Sequence, residues 1–355
     1  MGWAETLLAR LSPLRASLSR QFEHLPVVIE SHFHEAVHRT NIYDFDTARS
    51  TMQYVGKELQ GLVEIFETLI EAGPIRSDAV GRALGTALQA TFKAARRNPS
   101  LFDEARQLSD QALQQFAFDT DRQRQLGYRC QLETDAGGLE AAGRVLRDLL
   151  ELGPSATTRD VATRARDTGW FAVMHVARLW EAAARLGMDD LSQQMQDAWA
   201  AAGLADLPHW NLPAPHPQGV ILWKWGAALG YGANLKRALD RLSLAVRHLE
   251  SEAENVTLRT LALGARADRL ALLAVSDPVR CNVERGDLRS RWEKITADAM
   301  PQSQCRWFAS WKEALDGDHR DGDPLQRQSA WRRLSWDVPY CCLLYTSDAA
   351  DDTPC

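Results

Sequence analysis

Residues 171–184 read FAVMHVARLWEAAA, and this stretch decides the fold class. Its apolar side chains recur at spacings of three and four residues: Phe171, Met174, Ala177, Trp180 and Ala184. Such spacing places them on one face of an α-helix, whereas a half-buried strand would alternate apolar and polar residues. The stretch therefore predicts a helix with one broad buried face.

The same periodicity returns along the chain, at residues 59–70, 145–150 and 235–249. Alternating strand patterns and Asn-Gly hairpin signals are absent from the sequence. The predicted fold class is therefore all-α. Short breaks between long helices predict antiparallel helical hairpins, stacked as an irregular array or solenoid-like bundle.

Capping residues mark several predicted helix ends. Ser100 is expected to start a helix that runs to about Gln115, and Thr157 or Thr158 to start another. The pattern Asn41-x3-Phe45-Asp46-x-Ala48-Arg49 returns as Asn98-x3-Phe102-Asp103-x-Ala105-Arg106. This organisation resembles tetratricopeptide-type helical hairpins, which implies an α-hairpin repeat array. The alternative is two ordinary helix starts capped by aspartate.

Four prolines between Leu204 and Gly219 are expected to prevent a helix there, so a linker is predicted. The predicted organisation is an N-terminal helical array at 1–203, a Pro-rich linker at 204–218, a C-terminal helical region at 219–318, a polar loop and truncated end at 319–341, and a tail at 342–355.

The last residues form a segment of different character. Residues 342–352, CLLYTSDAADD, resemble a translated transposon-end adapter of the kind used to prepare sequencing libraries. The resemblance implies that the tail is not native and that the chain is truncated from a larger protein. The alternative is a true polar tail with two adjacent cysteines. Removing three tail aspartates would change the net charge from −6 to about −3.

Composition excludes some classes of protein. The slightly acidic balance argues against a nucleic-acid binder that works by bulk charge. No apolar run reaches the roughly 18 residues of a transmembrane helix, and no secretory signal is evident, so a cytoplasmic location is expected. Frequent alanine and arginine suggest a bacterial genome. The cysteines before the tail form no ligand spacing and predict neither disulfides nor structural zinc.

One motif raises the possibility of metal chemistry. Residues 34–38, HEAVH, match the HExxH pattern, in which two histidines share a helix face and bind zinc. Resemblance to thermolysin-like gluzincins implies His34, His38 and Glu58 as ligands and Glu35 as general base. However, the charged Arg39 follows the motif, and the helical wheel turns these groups away from the apolar stripe. We therefore favour a solvated polar face, with no metal or cofactor.

Two tryptophans flank a lysine at Trp223-Lys-Trp225, and Trp210 lies in the predicted linker. These side chains are candidates for a protein-interaction patch or for contact with a membrane surface. For Trp223 and Trp225 we favour the alternative, a buried helix that packs two indoles into the core, because large aromatic side chains dominate protein cores.

The leading functional hypothesis is a non-enzymatic helical interaction or regulatory module that binds a protein partner. The alternative is a zinc-dependent metallohydrolase that uses the motif at 34–38.

Overall fold

The structure is a computed structural model that describes Glu35, residues 47–51, 88, 91, 94–96, 98–115, 119–209, 215–232, 234–251, 256–299, 309–316 and 323–337. Within these residues it contains thirteen helices and no strand, so the all-α prediction is confirmed. The helices are α1 (Leu101–Gln115), α2 (Asp119–Asp135), α3 (Leu139–Leu149), α4 (Thr158–Thr168), α5 (Trp170–Arg185), α6 (Asp189–Ala201), a 3₁₀ helix (Leu204–His209), α7 (Pro215–Tyr231), α8 (Leu235–Leu249), α9 (Val256–Ser276), α10 (Pro278–Ala299), α11 (Ala309–Asp316) and α12 (Pro324–Asp337).

The chain divides into two compact units, Met1–Gln125 and Leu126–Cys355. In the first unit, α1 begins directly after Ser100, as its sequence predicts. Ala105 and Ala112 of this helix are fully buried, and Glu104 accepts a 3.1 Å ion pair from Arg49.

In the second unit, helices that follow one another also pack on one another. Helix α5 contacts α3, α4 and α6, and α4 also contacts α6. Of the residues whose spacing predicted α5, Met174, Ala177 and Trp180 are buried, whereas Phe171 and Ala184 are half-buried. These contacts bring α3 through α6 into one cluster.

The remaining core surrounds α7, which is apolar on all sides and packs against α5, α8 and α9. Gly226 allows the close approach of α8, because an added Cβ would lie 2.9 Å from Leu242 Cγ. Helix α9 contacts α8, α10 and α12. A helix buried all round is typical of the centre of a helical bundle.

Two local predictions are wrong. Pro215 begins α7 and Pro217 lies in its first turn, where a helix tolerates proline because the first N–H groups have no intrahelical partner. The predicted polar loop at 319–341 contains α12, which buries Trp331 and Leu334. The stacked-hairpin arrangement and the domain boundaries stay predictions, and the tail at 342–355 lies outside the described residues.

Candidate functional site

The predicted zinc residues lie almost entirely outside the described part of the chain. Of His34, Glu35, His38 and Glu58, only Glu35 is described, and it is helical and exposed. No group of three or more metal-ligating side chains occurs among the residues that the structure describes. The zinc hypothesis stays a prediction, for which metal analysis of the wild-type protein beside His34→Ala is the direct measurement.

The tryptophans of the predicted patch are placed differently. Trp223 and Trp225 are each 1 % exposed, and Trp210 lies outside the described residues. The ring of Trp225 lies 5.4 Å from that of Trp199, which in turn lies 5.7 Å from the ring of Trp180. The surface-patch interpretation therefore does not describe Trp223 and Trp225, because packing against neighbouring helices encloses both indoles.

A cavity of about 600 Å³ lies among α3, α4, α5 and α6. Its walls are mainly apolar, formed by Leu139, Leu146, Val161, Leu179, Met188, Leu191 and Met195. The cavity reaches the surface, since Met188 is 44 % exposed and Glu140 is also exposed. Cavities of a few hundred cubic ångströms with apolar walls and few polar groups are typical of binding sites.

The amphipathic sequence of α3 forms one wall. Leu139, Ala142, Leu146 and Leu149 are its buried residues, and Leu139 and Leu146 lie along the cavity. Gly143 lines the wall between them and leaves it open, because the nearest atom to an added Cβ would be Arg147 Nη1 at 3.9 Å. This wall therefore accepts a side chain without backbone movement.

The residues at the start of α4 also line the cavity, and hydrogen bonds hold them in position. Thr157 and Asp160 form a capping box, in which the Asp160 N–H donates to Thr157 Oγ1 at 3.3 Å and the Thr157 N–H donates to Asp160 Oδ2 at 2.8 Å. Hydrogen bonds from Thr157 lower the pKa of Asp160. Because the capping box fixes the backbone between Thr157 and Asp160, Thr157 and Thr158 are held in position along the cavity.

The two charged side chains that line the cavity, Glu140 and Arg147, differ in whether they have an ion-pair partner. Glu140 accepts a 2.8 Å ion pair from Arg144. The Arg147 guanidinium, in contrast, forms no hydrogen bond or ion pair with any residue in the described ranges, and its Nε is buried. The site thus combines apolar walls with one arginine for which the described residues provide no acceptor.

A second feature is a group of buried charged side chains at Asp268, Glu181 and Lys224. Lys224 Nζ lies 3.8 Å from Glu181 Oε2, and burial raises the pKa of Asp268 to about 6. Clusters with shifted pKa values are common at active sites. Here, however, Asp268 accepts hydrogen bonds from α7 and α12, and none of the three residues lines the cavity. We interpret the group as a structural junction between helices.

A buried histidine lies in the core between α5 and α2. Among the described residues, neither ring nitrogen of His175 has a hydrogen-bond partner. Burial lowers the pKa of His175 well below its usual value, and the nearby Arg178 adds to this effect. Burial also raises the pKa of the Cys130 thiol to about 12. Because both groups are held in their neutral forms away from solvent, neither is suited to act as a nucleophile or a base.

A smaller cavity of about 220 Å³ lies along α8, α9 and α10. Five of its eight lining residues are charged, and among them Arg291 lies 3.2 Å from both Glu250 and Asp287. Because this cavity is smaller and its lining is mostly charged, we take the larger, mainly apolar α3–α6 cavity as the candidate site.

The sequence carries only part of the signal of this site. The apolar stripe at 145–150 predicted a helix that belongs to α3, but no local pattern shows that α3 and α6 leave a gap between them. None of the described helices is long and apolar enough to cross a membrane. Comparisons with protein-family models, with curated proteins and with solved structures each found no match.

Proposed function

We propose that this chain is a non-enzymatic helical interaction module whose protein partner inserts an apolar helical segment into the α3–α6 cavity. The observation that supports this proposal is the cavity itself, which has a volume of about 600 Å³, has mainly apolar walls and is open to solvent at Met188. The proposal includes the cytoplasmic, bacterial setting that the sequence predicts. It places recognition in α3–α6, which follow one another along the chain, as in an array of helical hairpins.

The lining favours a protein segment as occupant. Met188 and Met195 have flexible, polarisable side chains that adapt to the shape of a bound apolar group. Surfaces of this kind receive amphipathic helices, whose apolar side chains at positions i, i+3, i+4 and i+7 enter the groove. Met188 and Leu191, which are partly exposed, give such side chains apolar contacts along the cavity.

The experiment uses a displayed library of amphipathic peptides about 20 residues long, enough to form a helix on binding. The library is selected on the wild-type chain, and binding of the selected peptides is measured by isothermal titration calorimetry. The blocking variant is Gly143→Leu, which adds a side chain at an open position of the cavity wall. Replacing a glycine inside a helix also favours the fold by up to about 1 kcal/mol, so lost binding is not explained by unfolding.

Gly286→Leu is the matched control. Gly286 lies inside α10, away from the cavity, and an added Cβ there meets no atom within 4 Å. We expect selected peptides to bind the wild type and Gly286→Leu equally, and to bind Gly143→Leu at least tenfold more weakly. Selection that yields no peptide sensitive to Gly143→Leu would overturn the proposal.

A further inference from the structure

Arg147 is the one charged group at the cavity whose bonding is incomplete among the described residues. Its guanidinium has no hydrogen-bond or ion-pair partner there, while its Nε is out of contact with solvent. The Nη1 and Nη2 atoms of the same guanidinium are not buried, so an acceptor on a bound partner can reach them and complete the bonding of the side chain.

The guanidinium lies over the apolar wall of the cavity. Arg147 lines the cavity together with Leu146 and Gly143, and its Nη1 lies 3.9 Å from the position of a Cβ at residue 143. The side chain of an arginine on a helix points back over the preceding turn, which here is the turn that carries Gly143. The charge is therefore placed where an entering segment meets the wall of α3.

The acidic groups nearby do not compensate for this charge. Glu140 lines the cavity but pairs with Arg144 at 2.8 Å. Asp160 is bound by Thr157, which is held in the capping box of α4. Within the described part of the chain, the cavity therefore offers one uncompensated positive charge beside apolar walls, and this charge complements a carboxylate on an apolar helix.

We infer that the partner's segment is an acidic amphipathic helix in which one aspartate or glutamate pairs with Arg147 while neighbouring apolar side chains fill the cavity. This inference rests on the proposed function and specifies the chemistry of its partner. An arginine fork donates two parallel hydrogen bonds to a carboxylate, and the Nη1 and Nη2 groups of Arg147 are the donors that an entering carboxylate reaches.

The test begins with the peptides selected on the wild-type chain. The inference expects an aspartate or glutamate at a fixed spacing from the apolar anchors. Two versions of such a peptide are then compared: the acidic peptide, and an amide peptide in which asparagine or glutamine replaces the acidic residue. The binding of both versions is measured to the wild type, to Arg147→Met and to Arg147→Lys. The amide peptide should bind the wild type about tenfold more weakly or worse, as expected for a lost hydrogen bond to a charged group.

On Arg147→Met the two peptides should bind within about twofold of each other, because the partner of the carboxylate is gone. Arg147→Lys keeps the charge but lacks the fork, so it should recover only part of the difference. The control is Arg159→Met, which removes an exposed arginine next to the cavity residue Thr158. It should leave the preference for the acidic peptide unchanged.

The two proposals fail in different ways. Peptides that lose binding to Gly143→Leu but carry no fixed acidic residue, or ignore Arg147→Met, would overturn the acidic-helix inference alone. An equal loss of the preference for the acidic peptide in Arg159→Met would also overturn it. The preference would then arise from the general positive charge near the cavity and not from a specific pair with Arg147. Absence of any cavity-dependent peptide would reject the interaction module itself.

Discussion

Trp223 Nε1 donates a 2.7 Å hydrogen bond to Asp268 Oδ2, and so joins α7 to α9 inside the core. The same oxygen accepts a second hydrogen bond, of 2.5 Å, from Ser335 Oγ of α12. One carboxylate oxygen therefore connects three helices that are far apart in the sequence. Trp223, a candidate for a surface patch in the sequence, therefore uses its indole Nε1 in a hydrogen bond to Asp268 inside the core.

Removing the indole donor tests how strongly this junction holds the helices. Trp223→Phe leaves Asp268 with one donor fewer, so we expect a loss of about 1–3 kcal/mol in the free energy of unfolding beyond the loss of indole volume. Denaturant unfolding followed by circular dichroism measures it. Trp199→Phe is the control, since Trp199 is equally buried but its Nε1 has no partner among the described residues. Equal losses in the two variants would contradict the junction.

Asp268 also predicts a dependence of stability on pH. Burial raises its pKa to about 6, against roughly 4 in the unfolded chain, with Lys224 opposing the shift and Glu181 adding to it. The folded state therefore binds the proton more tightly, and the resulting stabilisation is complete below pH 4 and disappears as pH rises through 6. Asp268→Asn should remove this component, about 3 kcal/mol between pH 4 and 7. Parallel stability curves for variant and wild type would reject it.

His175 predicts an effect of the opposite sign. Burial, together with Arg178, lowers its pKa well below 6.5, so at acidic pH the unfolded chain takes up a proton that the folded chain excludes. The stabilisation is present above pH 6.5 and is lost as pH falls towards the folded pKa. His175→Leu should therefore weaken the acid sensitivity measured by denaturant unfolding at pH 5 and 7.5. His248→Leu should weaken it less, because His248 is only half-buried; the reverse order would contradict this explanation.

Gly127 is expected to tolerate no side chain. An added Cβ would overlap the Phe171 ring and would lie 2.9 Å from His175 Nε2. Gly127→Ala should therefore lower the melting temperature, with a loss of about 1–3 kcal/mol from overpacking. Gly143→Ala, in open space on α3, should raise it, since alanine favours a helix by about 1 kcal/mol. Adding Phe171→Leu to Gly127→Ala should restore part of the loss; no recovery would show that the ring is not the obstacle.

Much of the local structure could be predicted because its causes act over a few residues. The apolar spacing in 171–184 gave a correct prediction for α5, and Ser100 and Thr157 mark real helix starts. The prolines of 204–218 were misread because a proline that prevents a helix interior is acceptable in a first turn, as at Pro215. Helix α12 was missed because its charged sequence buries only a few residues, among them Trp331 and Leu334.

The sequence by itself determined the all-α class and the ends of several helices, since periodicity and capping depend on neighbours within one or two turns. Tertiary structure alone decided that Asp268 joins three helices and that Arg147 faces a cavity without an acceptor in the described chain. Those properties depend on which helices meet and on the space left between them. Packing sets both, through contacts between residues distant in sequence, and no local pattern records them.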